Sequence, residues 1–86
     1  MDTDTIKRQI RTFISSDLQR DLIDVTDGSS LLEAGIIDSL GVLTLVAFIE
    51  ERYRLHVEDD ELMPENFESI EAVASFVARR RSTQIA

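Results

Sequence analysis

Glu33-Ala34-Gly35-Ile36-Ile37-Asp38-Ser39-Leu40-Gly41 closes a long polar connection and opens an apolar run, and the rest of the chain is read from it. Beyond it, Leu40, Leu43, Val46, Ile49 and Tyr53 follow in steps of three and four, the spacing of a helix. Residues 39–53 are therefore expected to be helical, with Leu43, Val46, Ile49 and Tyr53 inward. Leu40, Ala47 and part of Phe48 would face the side or solvent. Ser39 falls at or near the N-cap, where its hydroxyl can accept from an orphan backbone N–H. The same N–H groups and the helix dipole favour an anion there, phosphate included. Two uses are open to this serine: a plain cap, or the anchor of a phosphate ester.

Upstream, Ile6, Ile10, Phe13, Ile14 and Leu18 share one stripe, so residues 4–18 read as a first helix and a core wall. Thr3 or Asp4 can cap it, and Asp2 and Asp4 suit its positive end. Residues 19–38 contain the turn formers Asp24, Asp27, Gly28, Ser29 and Ser30. They also contain Leu22, Ile23, Val25, Leu31, Leu32, Ile36 and Ile37, too many for a free linker. A loop this long in a small domain is packed or functional. It is expected to lie across the bundle with Leu31 and Leu32 buried, and Gly35 suits a tight turn at positive φ.

Downstream, Arg54 stands where a left-handed residue often closes a helix, a conformation that costs a non-glycine residue about 1–2 kcal/mol. Leu55 and Val57 alternate inward around an outward His56, to which no nucleophile is paired in sequence. Glu58-Asp59-Asp60-Glu61 is a charge run able to hold a divalent cation loosely, but it lacks the spaced carboxylates of an EF-hand. Asp59 or Asp60 can cap a short turn through Leu62, Pro64 suits the first position of a turn, and Met63 and Phe67 are expected to pack on the bundle. Residues 69–81 form the last helix, capped by Ser69, with Ile70, Val73, Ala74 and Val77 inward and Phe76 on the edge. Arg79, Arg80 and Arg81 complement its dipole. Residues 82–86 are expected to fray, leaving an ordered core of about 4–81 in a single 1–86 domain.

The chain of 86 residues carries a net charge of −8, unevenly spread. Residues 21–71 hold fourteen acids and only two bases, Arg52 and Arg54. Such a middle disfavours nucleic acid and anionic membrane as partners, and favours proteins with basic docking patches; solubility alone is the plainer explanation. With no cysteine and one histidine, neither a disulfide framework nor a zinc site is available. No apolar run approaches membrane-spanning length, and the acidic N-terminus lacks the form of a signal peptide, so the location is read as cytoplasmic. Ser39 lies outside a Gly-x-Ser-x-Gly elbow and has no visible base, so no catalytic residue is assigned.

Gly35-Ile36-Ile37-Asp38-Ser39-Leu40, with its following helix, total length and acidity, resembles the attachment motif of the phosphopantetheine-dependent acyl and peptidyl carrier proteins. The resemblance spans residues 6 to 80. It implies an all-α fold: a small four-helix bundle with a long ordered loop between the first two helices and a short third helix. It implies 4′-phosphopantetheine held covalently on Ser39 beside Asp38, placed there by a phosphopantetheinyl transferase. It implies a monomeric, non-catalytic carrier that presents an acyl or aminoacyl thioester. Its partners would be an acyl- or aminoacyl-activating ligase and downstream synthase or transferase enzymes. Leu40, Gly41, Ala47, Glu50 and Glu51 would face those partners, and Met63, with Leu62, would border the cargo, core packing being the stronger reading for both.

Two departures narrow the reading. The fatty-acid form commonly has one residue between Gly and Asp-Ser, and acids at the positions of Gly41 and Thr44. Here there are two residues, and both acids are missing. This is closer to stand-alone carriers of amino acids or specialised acyl groups, as in natural-product pathways. Gly41 is then expected to let a partner approach Ser39 closely. The start at Met1 and the capped first helix favour a stand-alone chain. The competing reading is a small acidic helical adaptor that is never modified.

Overall fold

The stripe of Ile6, Ile10, Phe13 and Ile14 coils into α1 (Thr3–Ser16) and buries there, the three isoleucines completely. This computed structural model describes residues 3–85; Met1, Asp2 and Ala86 lie outside it, and with them the expected role of Asp2 at the helix start. α1 ends two residues earlier than the spacing suggests. Gln19 turns to φ +54°, and the Arg20 N–H reaches back to the Ile14 carbonyl at 3.3 Å. Leu18 still packs on the core, half-buried.

The connection 17–38 is held to the helices by hydrogen bonds, two of its ties lying at Asp27 and Leu31. The first tie is Asp27, whose Oδ1 accepts Arg11 Nε at 3.0 Å while its carbonyl accepts the Glu71 N–H at 2.8 Å. Lys7 stands 3.9 Å from the same carboxylate. The second is the Leu31 N–H, which donates to the Glu68 carbonyl at 2.8 Å. Between and beyond the ties, Val25, Leu31 and Ile37 enter the core. Leu32 does not: it is 42% exposed, because Leu31 takes the inward position of the turn and its neighbour points away. Ile23 stands 85% exposed on the free part of the loop. Gly35 adopts φ +73°, as the tight turn requires, and the Ile36 and Ile37 N–H groups both fold back to the Leu31 carbonyl.

α2 (Ser39–Tyr53) buries Leu45, Val46, Ile49 and Tyr53. Leu43, expected inward, is 58% exposed, and Leu45 takes its place in the core. The helix is apolar nearly all round, so the stripe read in threes does not follow one face. Each three-residue step falls about 60° short of a full turn. Arg54 closes the helix in the left-handed region at φ 54°, its N–H on the Glu50 carbonyl. Arg81 Nη1 donates to the Tyr53 carbonyl at 3.1 Å. Leu55 and Val57 are buried and His56 is exposed, as their alternation predicts.

A 3-10 turn, Asp59–Glu61, follows. Neither Asp59 nor Asp60 caps it: both lie inside it, and the residue before it, Glu58, donates its N–H to Glu61 Oε1 at 3.0 Å. α3 (Pro64–Phe67) opens on Pro64 and buries Phe67 against Phe76, ring centroids 5.6 Å apart. Met63 is 44% exposed rather than packed in the core. α4 (Ile70–Ile85) begins after the buried Ser69, whose Oγ accepts the Ala72 N–H at 3.0 Å. Its inward face is Ile70, Val73, Ala74 and Val77, joined by Phe76. The helical backbone runs to Ile85, through most of the expected frayed tail. α1 and α4 lie along each other as the main wall, and Phe13 stacks on Phe48 of α2 at 4.2 Å. The expected architecture is thus present among the described residues: four α-helices, the third a single turn, and a long tied loop.

Candidate functional site

Asp38 and Ser39 are both good capping residues, and Asp38 takes the role. It is extended, at φ −115° and ψ −170°, and its Oδ1 accepts the Gly41 N–H at 2.8 Å. Its carbonyl accepts the Val42 N–H at 2.9 Å and closes the first turn. Ser39, expected at or near the cap, is therefore the first helical residue. That shift frees it. The cap is already filled, and Ser39 stands exposed with its hydroxyl unused by the described residues. The first turn of α2 still offers unpaired N–H groups and the positive end of the dipole.

Ser39 opens onto a cleft of about 260 Å³. Val42 and Leu43 form its wall on α2, Leu32 enters from the loop, and Leu62, Met63 and Phe67 close the far side. The residues that left the expected core, Leu32, Leu43 and Met63, thus meet here. A usable signal was in the sequence: Val42 and Leu43 stand three and four positions after Ser39, on its side of the helix.

Outside the cleft, Leu40 and Ala47 form an exposed ridge on α2 with Thr44. Leu40 is 71% exposed. Thr44 Oγ1 donates to the Leu40 carbonyl at 3.0 Å, so its hydroxyl is turned back onto the helix. No charged side chain stands on α2 before Glu50. Glu50 is partly engaged within the fold: its Oε2 accepts the Val57 N–H at 2.8 Å and stands 3.2 Å from His56 Nδ1. Glu51 is exposed and borders a separate groove of about 600 Å³ between α1 and α2, floored by Phe13 and Phe48. Gly41 has a packing reason. A Cβ there would lie 3.0 Å from the Ile37 Cβ and 3.4 Å from the capping Asp38 Oδ1. Ile37 is buried and cannot easily yield.

Two ionisations are shifted. Burial raises Tyr53 above its ordinary value, against the opposing charges of Arg52 and Arg81; its hydroxyl pairs with Gln9 Oε1. The Glu58 N–H does most to lower Glu61; burial opposes it, and the Arg80 guanidinium and His56 add to the lowering. Arg80 and Arg81 are thus engaged in the fold rather than merely solvated: Arg80 with Glu61, and Arg81 with Tyr53. Among the described residues, no group of three or more His, Cys, Asp or Glu could hold a metal ion. None of the described helices is long and apolar enough to cross a membrane.

An exposed hydroxyl at the first turn of a helix, beside an apolar cleft on a small tied bundle, is an arrangement able to present an attached group. Comparison with known proteins says which. The family described as "Phosphopantetheine attachment site" matches residues 8–77. The acyl carrier protein of Borreliella burgdorferi strain ZS7 is 31% identical over 85 residues, covering 94% of this chain and 99% of its own. The acyl carrier protein of Borrelia garinii subsp. bavariensis is equally similar over the same span. A chain in a solved structure described as "Crystal structure of FAD-dependent dehydrogenase" is 33% identical, with a TM-score of 0.68 over 79% of this chain and 97% of that one. The chain belongs to the phosphopantetheine attachment family. It is a non-catalytic acyl carrier, whose cofactor is covalent 4′-phosphopantetheine and whose partners are a phosphopantetheinyl transferase and the enzymes that use the cargo. The residues fit that group: Ser39 is accessible for esterification, the helix end suits a phosphate, and the cleft suits an apolar tail.

Proposed function

We propose that Ser39 carries the 4′-phosphopantetheine arm, and that the arm delivers a short acyl or aminoacyl thioester in a specialised, natural-product type of pathway. The observation that carries this is the freed, exposed Ser39 opening onto the small cleft. The arm supplies a terminal thiol for the thioester. The chain's own residues position that arm, leave it accessible, and offer the cargo a partial shelter. The contribution is effective concentration: a tethered group meets a docked enzyme nearly intramolecularly.

The cleft volume lies at the small end of ligand pockets, which supports a short cargo over a long fatty chain. The missing acids at Gly41 and Thr44 support partners other than those of the fatty-acid form. Leu40, Gly41 and Ala47 would meet those partners near the arm, Glu50 and Glu51 would meet basic groups further along, and Asp38 would keep the first turn in place beneath the ester. A ligase that activates an acyl or amino acid would load the arm, and synthase or transferase enzymes would unload it. The solved structure described after an FAD-dependent dehydrogenase supports a flavin enzyme as one user of tethered cargo. The chain matched there is shorter than this one. The setting is cytoplasmic, and the carrier acts as a monomer.

Incubation with coenzyme A and a phosphopantetheinyl transferase, followed by intact-mass measurement, tests the reading. The wild type should gain one phosphopantetheine group and Ser39→Ala none. A wild type left unmodified by several such transferases would favour the unmodified adaptor instead.

A further inference from the structure

Leu62 and Met63 form the outer wall of the cleft beside Ser39, yet neither is held by burial: they are 38% and 44% exposed. Their position is set by the backbone on either side, the 3-10 turn before them and α3 after them. Glu61 joins these two pieces and fastens both to α4. Its carboxylate accepts the Glu58 N–H at 3.0 Å and pairs with Arg80. Its carbonyl accepts the Asn66 side-chain amide at 2.8 Å. The two charged side chains are each about a quarter exposed, 26% for Glu61 and 24% for Arg80. An ion pair that reaches solvent is weak enough to exchange partners when another protein docks beside it.

We infer that the Glu61–Arg80 pair is a latch on the cargo cleft, with Glu61 a positioning residue that acts through Leu62 and Met63. The inference deepens the carrier function proposed above and rests on it. With the pair closed, the wall stands against Leu43 and Phe67, and a short chain on the arm is shielded. With the pair broken, the turn is freed from α4, the wall moves outward, and the thioester is left to water. Neither Glu61 nor Arg80 touches Ser39 or lines the cleft, so transfer of the arm onto the protein does not depend on them.

The test loads holo-protein with butyryl or with hexadecanoyl thioester and follows both in hydroxylamine by intact mass. Hydroxylamine nitrogen attacks the thioester carbonyl, the C–S bond breaks, and the products are a hydroxamate and the free thiol of the arm. In Glu61→Gln and Arg80→Gln, the butyryl thioester should be cleaved severalfold faster than in wild type. The hexadecanoyl thioester, too long for the cleft, should be cleaved at an unchanged rate. Arg80→Lys should retain most of the protection. In the unloaded protein, the Met63 methyl resonance should shift in both Gln variants while the Ile10 methyl resonances stay in place. Unchanged butyryl cleavage in both Gln variants would overturn the latch, as would an equal acceleration for both chain lengths. A wild type that never accepts the arm would overturn the carrier reading and the latch with it.

Discussion

The two halves of this bundle use the same kinds of residue for opposite ends. Along α1 and α4, Ile6, Ile10, Ile14, Val73 and Val77 are completely buried, and each helix shows the other one face. Around Ser39, Leu32, Leu40, Leu43, Leu62 and Met63 are all exposed by more than a third. Exposed leucines taken singly need no explanation, but five exposed apolar side chains about one serine set this region apart from the wall, and the proposed arm and its partners would use it. The first half is a wall whose packing fixes the fold. The second leaves side chains of the same kind in solvent beside the helix start.

The strongest way to break this contrast is to truncate one residue from each half. Ile10→Ala should lower stability by about 2–5 kcal/mol, the range for emptying a packed site. Leu43→Ala should change it by no more than about 0.5 kcal/mol, as at an exposed position. Urea titrations of the two variants measure this directly, and comparable losses would remove the distinction. A middle-sized effect is expected where the halves join. In an unconstrained helix, Gly41→Ala should gain about 1 kcal/mol from propensity. Here the new methyl meets the Ile37 Cβ and crowds the capping carboxylate. The expected result is a lower thermal midpoint than wild type, and a raised one would show that Ile37 yields.

The smallest effect concerns pH. Glu61 is held below its ordinary carboxylate value by the Glu58 N–H and by Arg80, with a further contribution from His56. Folding therefore favours its charged form. The stabilisation is complete above the ordinary value and is lost as pH falls through the lowered one. The difference in thermal midpoint between wild type and Glu61→Gln should be steady at neutral pH and shrink progressively below about pH 4–5. A difference that grew on acidification would have the wrong sign.

Much of the site could be read from the residues alone. Asp38-Ser39 marks the helix start, Gly35 is read at the positive-φ turn that it occupies, and Ser69 is read as a cap; for Arg54 the pattern leaves open a different cap or a tolerated strain, and the structure shows the left-handed cap. What escaped was the facing of α2. With Val42, Leu43, Leu45, Val46, Ala47, Phe48 and Ile49 in one run, the polar contrast that normally orients a helix is missing. The three-residue steps consequently put Leu43 in the core and pass over Leu45, which is the one buried. Leu32 and Met63 escaped for a related reason: in short turns, burial is settled by distant contacts such as the Leu31 bond to Glu68, which no local pattern announces. Three of the residues lining the cleft, Leu32, Leu43 and Met63, are among those expected in the core, so the helix end is legible in the sequence and the space beside it only in part, through Leu62 and Met63 as cargo-bordering candidates.

The ties at Asp27 and Leu31 also divide the long loop into unequal parts. Residues 19–24 lie before the first knot, with Arg20, Ile23 and Asp24 in solvent. Slack added there is absorbed locally, because Arg11, Glu71 and Glu68 still hold the chain beyond it. Between Leu31 and Asp38 no such tolerance exists, since one inserted residue would rotate the start of α2 and carry the hydroxyl off the mouth of its cleft. The address of Ser39 is thus written by an arginine side chain of α1, a backbone N–H of α4 and the Glu68 carbonyl between α3 and α4.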